Sequence, residues 1–291
     1  MIAAHLIVGE REEPFLSALL ESLDGPVEWL LVNDNSSEPS PHAAILDASA
    51  FARRKRLAVD RTPWRDFSTA RNRCIALHRE VDAGPWALFV DADEVHGDAL
   101  QRIAANLHAL SDGIDFVDGY MWEFFQSLHW YTSIDRCKML FRMRPDVRWT
   151  GTVHEQLEGL GGARTVLPYV FGHYSAVLPA RRHAEKGRQY SGMGQEGEIV
   201  PEHLLDAIDV EWYFRDYWAE ALRFRGKHPR AIETIRPVLE RRYAATFAQT
   251  DQLVRKHQSP LRRARNVLRA LNFEQRWRLR NRHAVARGLM R

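Results

Sequence analysis

Along the first hundred residues, short apolar runs alternate with amphipathic stretches. Ile2 to Val8 is an apolar run of strand length, closed by the charged turn Gly9-Glu10-Arg11-Glu12-Glu13. Pro14 then opens a segment with Phe15, Leu16, Leu19, Leu20 and Leu23 at helical spacing. Trp29-Leu30-Leu31-Val32 predicts a second strand, Leu57 to Asp60 a third and Trp86 to Val90 a fourth; between the last two, residues 68–77 predict a helix entered through Asp66. Such alternation predicts a parallel sheet with helices on its faces. From Phe116 to Tyr174 the pattern changes to aromatic-rich strands over 116–122, 139–142 and 166–171. Residues 201–245 return to helical spacing. Trp212, Tyr213, Tyr217, Trp218, Ala221 and Leu222 mark one helix; after Gly226-Lys227-His228-Pro229, Ala231, Ile232, Ile235, Val238 and Leu239 mark a second. This predicts a helical hairpin of about one tetratricopeptide unit, too small to bury its own core and so packed on the body.

In a parallel sheet, ligands bind beyond the carboxyl ends of the strands. The polar clusters sit there: Asn33-Asp34-Asn35-Ser36-Ser37 after one strand and Asp91-Ala92-Asp93-Glu94 after another. Two carboxylates flanking one small residue suit a hard divalent cation. The Asn33 to Ser37 cluster suits a self-satisfied turn equally well. Arg142, Arg144 and Arg148 fit either phosphate contacts or a solvated basic strand edge, and Lys186 and Arg188 share that ambiguity. His154-Glu155 reads as a surface turn or as acid–base chemistry. Trp64 and Trp122 read as wall or core residues.

In order along the chain, these segments resemble the family 2 glycosyltransferases of the GT-A fold over roughly the first 190 residues. Arg11-Glu12-Glu13-Pro14-Phe15-Leu16 is similar to the family's Asn-Glu-Glu turn, with Arg11 in place of Asn. Asn33-Asp34-Asn35-Ser36-Ser37-Glu38 resembles its Asp-Asp-x-Ser-x-Asp segment, with Glu38 in place of the last Asp. Trp64-Arg65-Asp66-Phe67-Ser68-Thr69-Ala70-Arg71-Asn72, Asp91-Ala92-Asp93-Glu94, Gly151-Thr152-Val153-His154-Glu155 and Gly172-His173-Tyr174, followed by Lys186 and Arg188, resemble one bacterial branch, as does a helical hairpin after the catalytic domain. The resemblance implies an α/β fold of the GT-A, Rossmann-like kind, a mixed sheet with helices on both faces followed by an α-helical C-terminal region. It divides the chain into a catalytic domain over 1–195, a hairpin over 196–250 and a tail over 251–291.

The resemblance also implies a metal-dependent, inverting transfer of a sugar from a nucleoside diphosphate sugar, with UDP as the carrier, to an acceptor hydroxyl. Asp34, Asp66 and Arg71 would lie near the base and ribose. Asp91 and Asp93, with His173, would hold Mn²⁺ or Mg²⁺ across the phosphates; Lys186 and, on its charge alone, Arg142 are the candidate further substrate contacts. Glu155 would be the general base, with His154 as its rival.

Composition and charge add the question of partners. At 291 residues and 45% hydrophobic, the chain can bury a large core. Cys74 and Cys137 are too few for a disulfide scaffold, and two reduced cysteines suit a cytoplasmic protein. No apolar run approaches the ~20 residues of a membrane span, and the start lacks the basic region of a secretory signal. The net charge of +3 conceals a segregation: residues 251–291 carry 12 Lys and Arg against 2 Asp and Glu, while the rest carries 29 against 36. Ser259 and Pro260 open a basic amphipathic helix with Leu261, Ala264, Leu268 and Leu271 on one stripe and Arg262, Arg263, Arg265 and Arg269 around it. Three partners suit this tail. It can grip nucleic acid, with Phe273 and Trp277 stacking on bases and a hydroxymethylated DNA base as acceptor. It can lie on anionic lipid beside a lipid-linked or envelope glycan acceptor. It can pack its apolar stripe on the hairpin. A non-catalytic nucleic-acid binder on a transferase fold is the alternative to an enzyme.

Overall fold

The computed structural model describes residues 1–152, 155–194 and 199–272; His154, Phe273 and Trp277 lie outside the described residues. Alternation along β1 (Ile2–Val8) decides the layering. Ile2, Ala4, Leu6 and Val8 face one side of the sheet and share a core with Leu16, Leu19 and Leu23 of α1 (Leu16–Leu23) and with Leu30 and Val32 of β2 (Trp29–Asp34). Ala3 and Leu31 face the other side. Both faces are covered, so these strands read as unbroken apolar runs.

Two short helices, α2 (Ala43–Asp47) and α3 (Ala50–Arg53), lead to β3 (Leu57–Asp60); α4 (Phe67–Glu80) then leads to β4 (Trp86–Val90). Leu77 of α4 packs beside Ala3 and Leu31, on the face opposite α1. Asp66 caps α4 by accepting the Thr69 N–H at 2.6 Å. There follow β5 (Glu94–Val95), α5 (Ala99–Asn106), β6 (Ile114–Phe124), β7 (Trp130–Arg142), β8 (Arg148–Thr150), β9 (Gln156–Glu158), β10 (Ala163–His173) and α6 (Ala180–Gly192).

The main sheet has the order β3-β2-β1-β4-β7-β6-β10-β5. Its β3-β2-β1-β4 part is parallel, and β7 runs antiparallel to both β4 and β6. The outcome is the expected mixed α/β sheet with helices on both faces, followed by a helical C-terminal region. From β1 the chain steps outward to β2 and β3, then crosses back to β4 on the other flank of β1. The strand order therefore reverses between β1 and β4, the place where such sheets open a ligand crevice.

The C-terminal region departs from the expected hairpin. Residues 201–245 do not form two long helices: α7 (Val210–Tyr213) and α8 (Arg215–Trp218) are single turns. Ala221 is buried and Leu222 enters β11 (Leu222–Arg223), which pairs with β7 at Tyr131 and Trp130. The aromatic spacing misleads because it mixes two environments: Trp218 is buried against Phe125, whereas Trp212 and Tyr217 are 49% and 47% exposed. The second expected helix forms as α9 (Arg230–Arg242), and its helical partner is α10 (Ala244–His257), followed by a helix over 260–272.

As expected, these helices pack on the body. Ala231, Ile232 and Leu239 of α9 share one core with Phe15 and Ala18 at α1, and Arg242 bonds Glu12 at 2.8 and 3.0 Å. Because that core is continuous, Ile232→Ala should cost the whole protein about 2–4 kcal/mol. Urea unfolding followed by tryptophan fluorescence should show one transition shifted to lower denaturant; a separate early transition would contradict a shared core.

Candidate active site

Beyond the carboxyl ends of β1 and β4 lies a cleft of about 540 Å³. Ile7 to Arg11 and Glu13 form one wall, Asp91 to Asp93 the floor, and Trp64, Phe67, Arg71 and Glu155 a second wall. Helix α6 closes the third side with Arg182, His183, Lys186, Gln189 and Tyr190. Arg182, Lys186 and Tyr190 are four residues apart, so one helical face delivers all three.

The acidic corner is built by strand pairing. β5 runs antiparallel to β10, with His173 opposite Glu94, and the Tyr174 N–H donates to the Asp93 carbonyl at 2.8 Å. Gly172 is required there, because a Cβ would stand 2.6 Å from the Tyr174 hydroxyl. Asp93 is buried and faces two cations: His173 Nε2 at 3.2 Å and Lys186 Nζ at 3.7 Å. Burial opposes its charge, yet Lys186 and His173 outweigh burial and hold its carboxyl well below the usual carboxylate range. Burial likewise opposes a charged His173, but Asp93 and Glu123, the latter 2.8 Å from Nδ1, raise its pKa well above the ordinary imidazole value. For Glu94, burial and then the charge of Asp91 push the pKa up, and its carboxyl accepts the Asp91 N–H at 3.2 Å.

The opposite wall depends on α4. Ser68 donates to the Gly151 carbonyl, and Asn72 brackets Trp149 by donating to its carbonyl and accepting its N–H, each at 2.8 Å. Between them Arg71, its side chain 7% exposed, donates from Nε to Glu155 Oε1 and approaches Asp91 Oδ1 at 3.4 Å. Its guanidinium lies 3.7 Å from the centroid of the Phe89 ring, a close cation–π contact. Residues 68, 71 and 72 share one helical face, which explains why Ser68, Arg71 and Asn72 act together on the chain from Trp149 to Glu155.

The structure brings Arg71, Asp91, Asp93, Glu155 and Lys186 to this cleft, with His173 behind Asp93. Arg71 is not free for a base or ribose, since it holds two carboxylates. His173 meets Glu123 through Nδ1 at 2.8 Å, and its Nε2 stands 3.2 Å from Asp93 Oδ1 without an aligned hydrogen bond. Asp34 departs from its expected place: its buried carboxylate accepts from the Ser36 N–H and hydroxyl and from Ser40, so the turn consumes it and Asn35 lines the cleft instead. Burial would raise the Asp34 pKa, but the Ser36 and Ser40 hydrogen bonds lower it below the ordinary value. Asp66 is spent as the α4 cap. Arg142 lies at the wrong end of the sheet. It pairs in register with Trp86, the first residue of β4, and donates to the carbonyls of Ile114 and Ser111. Arg144 and Arg148 bond Asp115 and Glu158 as strand-edge pairs.

Sequence reasoning places Glu13 only within the Asn-Glu-Glu-like turn and passes over Arg182; the two meet at 3.0 Å in the cleft. It also misses Glu123 and Tyr190. The four-residue spacing of Arg182, Lys186 and Tyr190 is the available signal for α6; no local signal pairs Glu13 with Arg182.

Among the described residues, no three or more His, Cys, Asp and Glu side chains gather as a metal cage. A cation shared with phosphates needs fewer protein ligands, since Mg²⁺ is usually bound by one or two carboxylates plus substrate. Asp91 and Asp93 fit that need, and Asp93 Oδ1 is buried with no donor aligned on it.

No family model and no curated protein matches the chain. Among solved structures, the crystal structure of S. aureus TarS 1–349 aligns over 99% of this chain and 91% of that one, at 12% identity and a TM-score of 0.40.

Arg71→Met leaves Glu155, whose side chain is 11% exposed, without its cation and should cost about 1–3 kcal/mol in urea unfolding. Adding Glu155→Gln should recover part of that loss, and failure to do so would mean that the two side chains are not coupled. Burial raises Glu13 from 4.5 to about 7, against the opposing pull of Arg182. Between those two values the folded protein keeps a proton that the unfolded chain releases, so this group makes stability fall as pH rises through the window. Glu13→Gln should flatten that fall, as read from urea midpoints at successive pH values.

Proposed function

We propose that this chain is a glycosyltransferase that moves a sugar from a nucleoside diphosphate sugar to an acceptor hydroxyl. One observation carries the reading: Asp91, Asp93, Lys186 and Glu155 converge on one cleft at the point where the strand order reverses. The cleft volume falls within the range of about 300–1,000 Å³ typical of small-molecule sites.

Asp91 and Asp93 would hold Mn²⁺ or Mg²⁺, which supplies Lewis-acid stabilisation of the departing diphosphate. Lys186 adds fixed positive charge beside Asp93, where the phosphates would collect, and Asp93 raises its pKa so that it stays protonated. Trp64, Phe67 and Tyr190 are stacked edge-to-face along the wall, with centroids 4.9 and 5.5 Å apart, and present apolar surface to a nucleobase or sugar ring. Glu155 is the proposed base. Arg71 fixes its Oε1, leaving Oε2 to take the proton from the acceptor hydroxyl as that oxygen forms the new glycosidic bond and the diphosphate leaves with the old bonding pair. Direct displacement of this kind inverts the anomeric centre. UDP is the carrier to test first.

The test is release of nucleoside diphosphate from a donor panel with Mn²⁺ or Mg²⁺, using hydroxymethylated DNA and a glycan as parallel acceptors. Asp93→Asn should lower turnover by at least about 100-fold. Glu155→Gln should lower kcat by about 10²–10⁴ with donor binding retained. Turnover of no donor by the wild type, or wild-type turnover by Asp93→Asn, would remove the reading.

A further inference from the structure

The helix over 260–272 is inside out for a soluble surface. Its polar side faces the body: Arg262 and Arg269 both bond Glu220, and buried Asn266 donates to the carbonyls of Ala219 and Ala221 at 3.0 and 3.4 Å. Ala270 is buried on the same side. The apolar stripe faces outward, with Leu261 82%, Leu268 68% and Leu271 38% exposed, and Ala264 exposed between them. At about 100° per residue, Arg265 lies along the edge of this stripe. The start of the helix is well fixed, because the Ser259 hydroxyl caps it by accepting the Arg262 N–H at 3.3 Å.

We propose that this outward face is a docking surface for an anionic lipid bilayer. Amphipathic helices with apolar residues on one face and basic residues around them bind at the headgroup boundary through buried apolar area and attraction to anionic lipid. Charge complementarity selects the occupant. Residues 273–291 add six arginines and one glutamate, so the stripe sits within a strongly basic segment. A second copy docking through the same face would set Arg265 against its own copy, and residues 273–291 carry the same sign of charge as Arg265. Nucleic acid would satisfy the arginines but offers the leucines little, because its affinity comes mainly from phosphate contacts. No residue of the cleft takes part, so lipid docking and glycosyl transfer stand or fall separately.

The test is co-sedimentation of the full chain with vesicles of phosphatidylcholine alone or with about 30% phosphatidylglycerol. Binding should require the anionic lipid and weaken with salt. Leu261→Gln with Leu268→Gln should weaken it by about tenfold or more, while Leu261→Met with Leu268→Met keeps it. Both replaced side chains are exposed, so the melting temperature should stay at the wild-type value. Absence of binding to anionic vesicles, undiminished binding by the Gln variant, or a stripe whose substitution instead abolishes self-association or binding to duplex DNA would overturn the proposal. Loss of diphosphate release in the cleft variants would leave vesicle binding unchanged.

Discussion

The buried guanidinium of Arg71 is the interaction on which the candidate site depends. It joins Glu155, carried by the segment after β8, to Asp91, at the end of β4, and it lies against the face of Phe89. A buried charge is costly unless it is paired and hydrogen-bonded. One wall of the cleft is therefore tied to its floor by the need to keep this cation and its carboxylates matched. Ser68 and Asn72 on the same face of α4 fasten the neighbouring backbone at Gly151 and Trp149, so the loop bearing Glu155 is docked by three successive contacts.

A second charge balance sits across the floor. Asp93 is stabilised by Lys186 and by a charged His173, which Glu123 supports from the other nitrogen. The cleft thus concentrates carboxylates without leaving them uncompensated, and its cations come from separate elements: α4, β10 and α6. That distribution makes the site a property of the whole sheet rather than of one loop. The C-terminal helices contribute by packing α9 against α1 and by holding Glu12, beside the turn that lines the cleft, through Arg242.

Much of the fold is legible in the sequence. β1, β2 and β4 read as apolar runs because they are buried on both faces, and Asp66 reads as a helix entrance because capping is local chemistry. Asp91 and Asp93 are legible as a strand-end pair. Asp34 is not, because the same Asp and Ser residues serve a ligand or a turn, and the choice rests on whether Ser36 and Ser40 consume the carboxylate. Arg142 is not legible either, because its charge says nothing about which end of β7 meets the cleft. The aromatic run from Trp212 to Leu222 looks like one helix because periodicity cannot separate the buried Trp218 from the exposed Trp212 and Tyr217.

By itself the sequence determined the layered α/β architecture, the strand-end carboxylates and the amphipathic basic helix, all of which follow from local periodicity and local chemistry. Tertiary structure alone decided which charges meet. It brought Arg71 to Glu155, Glu13 to Arg182 and His173 to Asp93, pairings between residues far apart in the chain. It also turned the 260–272 helix so that Glu220 and the carbonyls of Ala219 and Ala221 receive its polar side and the leucines face outward. A hydrophobic pattern specifies that a helix has two faces; which face is buried depends on the partners that the rest of the fold offers.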